Sequence, residues 1–349
     1  MPELQAMAEA AVASLSEAVR ADLDENGGGF GWWSDYNIKP ADRFDLSDYL
    51  VGVIEGVRTH LRIADTCLSE YRQKRATDDF QLRAWSRANP SEPVWRGMSL
   101  PDANKRDDLM SAHVYGFFNA ASSVLDTLAG TVLGVAGLNL PLVRADLSMF
   151  APITSDPDYP IGKRLIKALI EDPEGREAQL VLVRAFRTSL LQAGPADWHQ
   201  WLNQKRNQLA HRGGRLKMVN FVRERGNLNQ CRNIVFERDP DLTTTQSFRS
   251  PDLGVMWLQE DQETTMNGIL GSLQASVVGT LAPSRLLWDR RRNNPALIPQ
   301  PATQWTEPNG TLEFPGYNPR PELFNKVAAM IVHPAIGARL TASKVLRDP

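Results

Sequence analysis

Residues 106–137 read RDDLMSAHVYGFFNAASSVLDTLAGTVLGVAG and carry the strongest periodic pattern in the sequence. Apolar side chains recur there every three or four residues, which places them on one face of a helix. Gly130 and Gly134 leave room for a second helix to approach closely, while Gly137 and Pro141 end the element. We therefore predict a buried core helix. Its apolar face carries Phe117, Ala121, Val124, Leu125, Leu128, Val132 and Val135.

Helical spacing continues on both sides of this segment. It is found at residues 2–24, 44–76, 160–193, 195–214 and 260–289. Two β-prone runs, Met218–Val222 and Ile234–Glu237, are separated by glycine and asparagine and predict a small hairpin around residues 215–240. The predicted fold class is therefore mainly α, an antiparallel helical bundle with a small β-hairpin.

Changes in composition suggest how the chain is divided. We expect residues 1–104 to form an N-terminal helical region whose role the sequence does not reveal, and residues 105–295 to form the main helical domain. Residues 296–349 are rich in proline and predict an irregular tail packed on the surface.

Composition narrows the class of protein. The chain has 349 residues, with 39 Lys and Arg against 41 Asp and Glu, and 42% of its residues are apolar. These proportions are typical of a soluble globular protein and argue against a disordered one. Cys67 and Cys231 are isolated, which favours a reducing cytoplasm over a disulfide framework. The longest uncharged stretch, residues 127–143, is shorter than the roughly 20 apolar residues of a bilayer span, so no membrane segment is expected.

Residues 195–214, PADWHQWLNQKRNQLAHRGG, predict a helix of about 15 residues that ends before the paired glycines. Stepping 100° per residue places Trp198, Trp201, Leu202 and Leu209 on the buried face. On the opposite face, Asn207 and His211 are neighbours one turn apart. Arg206 lies about 140° around the helix from His211, so a single rigid helix does not bring the two together.

The order Arg206-Asn207-x3-His211 is unusual for this composition. Random placement of the 30 arginines, 18 asparagines and 5 histidines over 349 positions would produce such a pattern about 0.02 times. A looser pattern, Arg followed by His after four to six residues, also occurs at Arg106 and His113. Because His113 lies on the apolar stripe of the core helix, we predict that it is a packed or helix-end histidine.

The motif lies in the most basic part of the chain. Seven basic residues and one acidic residue occur between residues 204 and 225, in a chain whose net charge is −2. Such a local excess of positive charge attracts phosphate. We predict RNA contacts from Lys205, Arg212, Arg215 and Lys217, which flank the motif.

These residue types permit RNA cleavage without a metal ion or other cofactor. The imidazole of His211 can exchange a proton with a ribose 2′-OH or with a leaving 5′-oxygen. The Arg206 guanidinium can hold the scissile phosphate through a planar fork, and Asn207 can orient the imidazole or donate to the phosphate. The sequence offers no metal-ligand spacing beside His211 and no Gly-x-Ser-x-Gly nucleophile motif.

With Arg206, Asn207 and His211 in this order, the chain resembles the HEPN superfamily of helical nucleases and RNA-binding domains. The resemblance covers at most residues 105–290 and is specific over 206–213. It implies an endoribonuclease that leaves a 2′,3′-cyclic phosphate, with two motif copies facing each other in a homodimer. It also implies a toxin or antiviral defence effector, controlled by an antitoxin or other regulatory partner.

Two other functions fit the same sequence. One is a catalytically inactive HEPN-like module that binds RNA or a protein, and the other is a helical scaffold. Two further groups of polar residues have both a structural and a functional interpretation. Asn119, Ser122, Ser123 and Asp126 form either an interhelical polar face or a cleft wall, and Arg285, Trp288, Arg290, Arg291 and Arg292 form either a helix end or an RNA contact.

Overall fold

A computed structural model of the chain describes residues 2–23, 29, 40–140, 145–153, 161–211, 218–223, 230–240 and 256–298, and positions 334, 337, 340 and 341. The described residues form eight α-helices: α1 (Pro2–Ala21), α2 (Pro40–Ala88), α3 (Val94–Met98), α4 (Pro101–Ala136), α5 (Lys163–Ala168), α6 (Pro173–Gln192), α7 (Trp198–His211) and α8 (Gln262–Asn293). Short 3-10 helices cover Leu147–Phe150 and Pro295–Leu297. The mainly α fold class is confirmed.

The small β-hairpin is also confirmed, and a third strand extends it. The strands are β1 (Met218–Arg223), β2 (Gln230–Glu237) and β3 (Trp257–Asp261). They form one antiparallel sheet in the order β1-β2-β3, and Val219 pairs with Ile234 across the hairpin. β3 runs directly into α8, whose first turn is capped by the Asp261 carboxylate, an acceptor for the Thr264 backbone N–H at 2.8 Å.

Helix α4 is the centre of the core, as its periodicity predicts. All seven residues of the predicted apolar face have no exposed surface. Pro101 occupies the first turn, where its missing N–H costs no helical hydrogen bond. Gly137 ends the helix in the left-handed conformation with φ of 57°, which a residue with a Cβ adopts only under strain. The end of this helix is as predicted, whereas its start at Pro101 lies five residues before Arg106, where the predicted pattern begins.

Helix α2 packs along α4 more extensively than any other pair of elements does. A Cβ placed on Gly130 would lie 2.9 Å from Cγ1 of Val53, so glycine permits the close approach at this point. Apolar residues from Ala8 to Ile298 form one continuous core, to which α1 and α2 both contribute. The predicted boundary at residue 104 therefore falls within the first turn of α4, and helices on both sides of it share this core.

The second half of α2 is held by ion pairs, which explains why apolar periodicity alone predicts an end at residue 76. The Arg106 Nε of α4 donates to Oδ1 of Asp78 at 2.6 Å. Arg75 donates to Asp261 Oδ2 at 2.9 Å and so connects α2 to the start of α8. The helix continues beyond these ion pairs and ends at Ala88.

Side chains from two other helices cap the last turn of α4. Gln179 of α6 donates through Nε2 to the Ala136 carbonyl at 2.9 Å, and Arg291 of α8 donates to the Val135 carbonyl at 2.7 Å. Both side chains are almost fully buried. They satisfy carbonyls that have no partner within the helix itself.

No helix in the described ranges combines the length and the apolar run that a bilayer crossing requires. The Gly27–Gly29 loop lies mostly outside the described residues, as do the glycines after α7 and all but a few positions of the Pro-rich tail.

Candidate functional site at the end of α7

The motif helix α7 begins close to where its sequence predicts. Asp197 precedes it with φ of 61°, a left-handed conformation that aspartate tolerates better than most residues. Trp198 anchors the first turn, because its ring is buried and its Nε1 donates to the Leu190 carbonyl of α6 at 2.8 Å. The helix ends at His211, which is the last described residue before the basic segment that follows.

The two faces of α7 largely match the predicted arrangement. Trp198 and Leu202 are buried as expected, while Trp201 and Leu209 are half-buried against the core. His211 is exposed at the C-terminal end, as the helical wheel predicts, and Asn207 is half-buried one turn before it. The complete buried face also carries polar residues and consists of Trp198, His199, Leu202, Lys205 and Gln208.

Arg206 is directed toward α4. Its Nε donates to Oγ of Ser122 at 3.5 Å, which is the long limit of a hydrogen bond. The Ser122 hydroxyl in turn donates to Oδ1 of Asn203 on α7 at 2.8 Å. In the described contacts Arg206 therefore bonds to α4 and not to His211, in agreement with their predicted separation around the helix.

The predicted role of Lys205 in binding RNA is wrong. This residue is buried, and its Nζ donates to Glu237 Oε2 at 2.6 Å and to Gln208 Oε1 at 2.7 Å. The ammonium group also lies 4.9 Å from the centre of the Phe236 ring. A cation committed in this way to a carboxylate on β2 is not available to a phosphate in solvent.

The Lys205–Glu237 pair fixes α7 to the sheet. Burial by itself would raise the pKa of Glu237, but the charge and hydrogen bond of Lys205 outweigh it and hold this pKa below its usual value. Trp201 adds a second connection, because its Nε1 donates to the Glu237 carbonyl at 3.2 Å. Strand β2 thus holds α7 in place through both the side chain and the backbone carbonyl of Glu237.

The other three predicted RNA contacts, Arg212, Arg215 and Lys217, lie outside the described residues. Their roles remain predictions from the sequence. Arg206, Asn207 and His211 are all described and lie in the last two turns of α7, with Arg206 directed toward α4 and His211 at the exposed end.

Polar residues of α4 and α2 line a half-open cleft beside Arg206. The polar face of α4, which the sequence interprets as either an interhelical face or a cleft wall, has both roles. Ser122 bonds to α7, whereas Ser123 and Asp126 line the cleft. On the α2 side the cleft is lined by Tyr49 and His60. The sequence alone does not mark either residue as part of a site, although with Val53 and Gly56 they recur every three or four residues on one face of α2.

Two side chains of this cleft, Asp126 and His60, have shifted pKa values. Burial raises the pKa of Asp126, while a hydrogen bond from the Leu147 backbone and the charges of Arg206 and His60 act in the opposite direction. Burial lowers the pKa of His60, and the Ser123 backbone and Asp126 partly offset that effect. The electrostatic influence of Arg206 thus extends from α7 into the cleft.

The basic cluster near the end of α8 has a structural role in the described contacts. Trp288 is fully buried and donates to Asp22 Oδ2 at 2.7 Å, so its ring is not available for stacking on a base. Arg291 caps α4, Arg292 lies 3.1 Å from Asp22, and Arg285 bonds to Asp289. The interpretation as a helix end is therefore the better one.

Within the described residues, no three His, Cys, Asp or Glu side chains are grouped as ligands of a metal ion would be. No protein-family model, curated protein or solved structure matches the chain significantly. A functional assignment consequently depends on the chemistry of α7 and the cleft beside it.

Proposed function

We propose that this chain is an endoribonuclease that uses Arg206, Asn207 and His211 and requires no metal ion. The observation that carries the proposal is the exposed imidazole of His211 at the end of α7, one turn from Asn207. On the same helix, the hydrogen bond of Arg206 among the described residues goes to a neutral hydroxyl, that of Ser122. A phosphate can therefore compete for this guanidinium without having to displace a carboxylate bound to it.

The proposed reaction is a transesterification at phosphorus. One His211 imidazole takes the proton of a ribose 2′-OH, and the oxygen forms a bond to the adjacent phosphorus. The bond from phosphorus to the 5′-oxygen breaks, and an imidazolium returns a proton to that oxygen. The products are a 2′,3′-cyclic phosphate and a free 5′-OH, and Arg206 offsets the charge that gathers on the phosphoryl oxygens.

This chemistry needs Arg206 and His211 side by side, although they are separated within one copy of the chain. A composite site in a homodimer would bring them together. In a two-fold arrangement, the His211 of each copy can lie beside the Arg206 of the other. One imidazole then acts as base and the second as acid. We further propose that such a nuclease acts as a toxin or defence effector in the cytoplasm, under the control of a regulatory partner.

The direct test is cleavage of labelled single-stranded RNA by the purified protein in excess EDTA, with analysis of the 3′ ends. We expect 2′,3′-cyclic phosphate termini and a loss of cleavage of about 100-fold or more in His211→Ala. The matched control is His113→Ala, which removes the histidine of the looser motif on α4. Cleavage that persists in His211→Ala, or that requires a divalent metal, would overturn the proposal.

The second candidate is an RNA-binding module without catalytic activity. It is favoured by the contact of Arg206 with α4, which holds the guanidinium away from His211 of the same copy. Salt-dependent binding of RNA without any cleavage would identify this function.

A further inference from the structure

The cleft between α2 and α4 encloses about 210 Å³. An apolar cavity of about 150 Å³ holds one benzene molecule, so a single ring system fits here and a complete nucleotide does not. The cleft is half-open, and its rim carries Tyr49, which is 38% exposed. An exposed aromatic ring beside a cleft of this size provides a surface on which a planar ligand can stack.

The α4 side of the cleft offers a hydrogen-bond acceptor. Oδ1 of Asp126 accepts from the Leu147 backbone N–H at 3.1 Å, which fixes the carboxyl group and leaves Oδ2 for a ligand. The hydroxyls of Ser123 and Thr127 donate to carbonyls of their own helix at 2.9 and 2.8 Å, so each presents lone pairs. The α4 wall is therefore rich in acceptors and suits a ligand that donates N–H groups.

His60 contributes an unused polar atom from α2. Its Nδ1 is buried and has no hydrogen-bond partner among the described residues. Buried polar atoms are nearly always satisfied, so this imidazole at the wall of the cleft keeps unused hydrogen-bonding capacity.

The cleft is also next to the proposed catalytic arginine. Arg206 bonds to Ser122, whose neighbour Ser123 lines the cleft, and Asp126 lies one helical turn further along α4. A ring bound beside Asp126 would therefore be close to a phosphate held by Arg206. This is the spatial relation between a base and the backbone of a single-stranded nucleic acid.

We propose that this cleft receives one unpaired nucleobase, whose exocyclic amino group donates to Asp126 Oδ2 while the ring stacks on Tyr49. The inference rests on the proposed function, because that function supplies RNA as the ligand. It adds base selectivity: cytosine, which carries an amino group at position 4, binds better than uracil, which has a carbonyl oxygen there.

The test compares the binding of 2′-O-methyl hexacytidylate and hexauridylate by fluorescence anisotropy at low salt and pH 8. Neither hexamer has the 2′-OH that cleavage needs, so binding is measured separately from catalysis. We expect the wild-type protein to bind the cytosine hexamer about tenfold more tightly. In Asp126→Asn the amide still accepts from Leu147 but presents a donor to the ligand, so the preference should reverse toward uracil.

Two further variants keep the test decisive if Asp126→Asn fails to fold. Tyr49→Ala changes an exposed position and should weaken the binding of both hexamers about tenfold through lost stacking. Its matched control is Tyr115→Ala, an exposed tyrosine on α4 away from the cleft, which should change neither. Asp108→Asn, an exposed aspartate on the same helix, is the control for the Asp126 variant.

Each outcome separates this inference from the proposed function. Equal binding of the two hexamers by the wild type, or an unchanged preference in folded Asp126→Asn, overturns the base pocket even if RNA is cleaved. A cytosine preference that reverses in Asp126→Asn supports the pocket even if RNA is never cleaved. Absence of binding to either hexamer overturns the pocket, and the cleavage assay then decides the function.

Discussion

Lys205 and Arg206 are adjacent in the sequence, but they belong to two very different contacts of α7. On the β2 side, the Lys205 and Glu237 side chains are 5% and 12% exposed, and their charged atoms lie 2.6 Å apart. On the α4 side, Arg206 is half-buried and its hydrogen-bond partner is the neutral hydroxyl of Ser122 at 3.5 Å. Two neighbouring cations are thus compensated to very different degrees.

The difference shows how the partner of a basic residue decides its role. An ammonium group removed from water needs an opposite charge and good hydrogen-bond geometry, so Lys205 is committed to the fold. A guanidinium whose hydrogen bond among the described residues goes to a serine at long distance remains able to bind a phosphate. We therefore expect changes at the first contact to affect stability and changes at the second to affect activity.

The largest expected effect is on stability, from Lys205→Ala. This change leaves Glu237 buried without its cation and should lower the free energy of unfolding by about 3–5 kcal/mol, measured by urea denaturation. The control, Lys163→Ala on the exposed side of α5, should change stability by less than about 0.5 kcal/mol. A loss of under about 1 kcal/mol in Lys205→Ala would show that the pair is not the anchor that its geometry indicates.

The next effect is on activity, from Arg206→Ala. We expect RNA cleavage to fall about 100-fold, because the charge on the phosphoryl oxygens loses its guanidinium, while stability changes by about 1 kcal/mol or less. Arg164→Ala, an exposed position on α5, is the matched control. If Arg206→Ala instead lowers the free energy of unfolding as much as Lys205→Ala does, both residues contribute mainly to stability, which contradicts the proposed difference between them.

A smaller change is expected from Ser122→Ala. It removes the acceptor for Arg206 and the donor to Asn203, which should lower the free energy of unfolding by about 1 kcal/mol. The neighbouring Ser123→Ala removes only a bond to its own helix and should be close to neutral in the same measurement. Equal losses for the two variants would mean that the Ser122 bonds add nothing to the contact between α4 and α7.

The mildest perturbation is a change of pH. Since the pKa of Glu237 is lowered in the folded protein, its ionised form contributes stability that is present above the ordinary value of 4.5 and is lost as the pH falls through the folded value. Wild-type protein and Glu237→Gln, unfolded with urea between pH 7 and pH 3, should therefore converge in stability as the pH falls. A constant difference would contradict a lowered pKa at this carboxylate.

The sequence predicts the parts of the fold whose signal is local. The seven apolar residues of α4 are all buried, Gly137 ends that helix, and α7 displays His211 on its exposed side as the helical wheel predicts. These features depend on the 3.6-residue period and on glycine at a helix end, which a few neighbouring residues determine.

Features that depend on residues far apart in the sequence could not be predicted from the local pattern. The same helical wheel places Lys205 within about 20° of Trp198, on the buried face, but only the fold shows that Glu237, 32 residues away, is there to neutralise it. His60 and Asp126 belong to different helices and line the same cleft where α2 packs along α4, a close approach that Gly130 permits. Charge compensation and cleft formation are tertiary properties, which one helix does not reveal.

The capping of α4 by Gln179 and Arg291 has a consequence for how the molecule opens. A helix terminus ordinarily frays within the native state, and its amide protons exchange with solvent early. Here the last turn of α4 is closed by side chains that arrive from α6 and α8, so it can loosen only when those helices separate. Its amides should therefore exchange as slowly as those at mid-helix, and this turn should belong to the last cooperative unit to unfold.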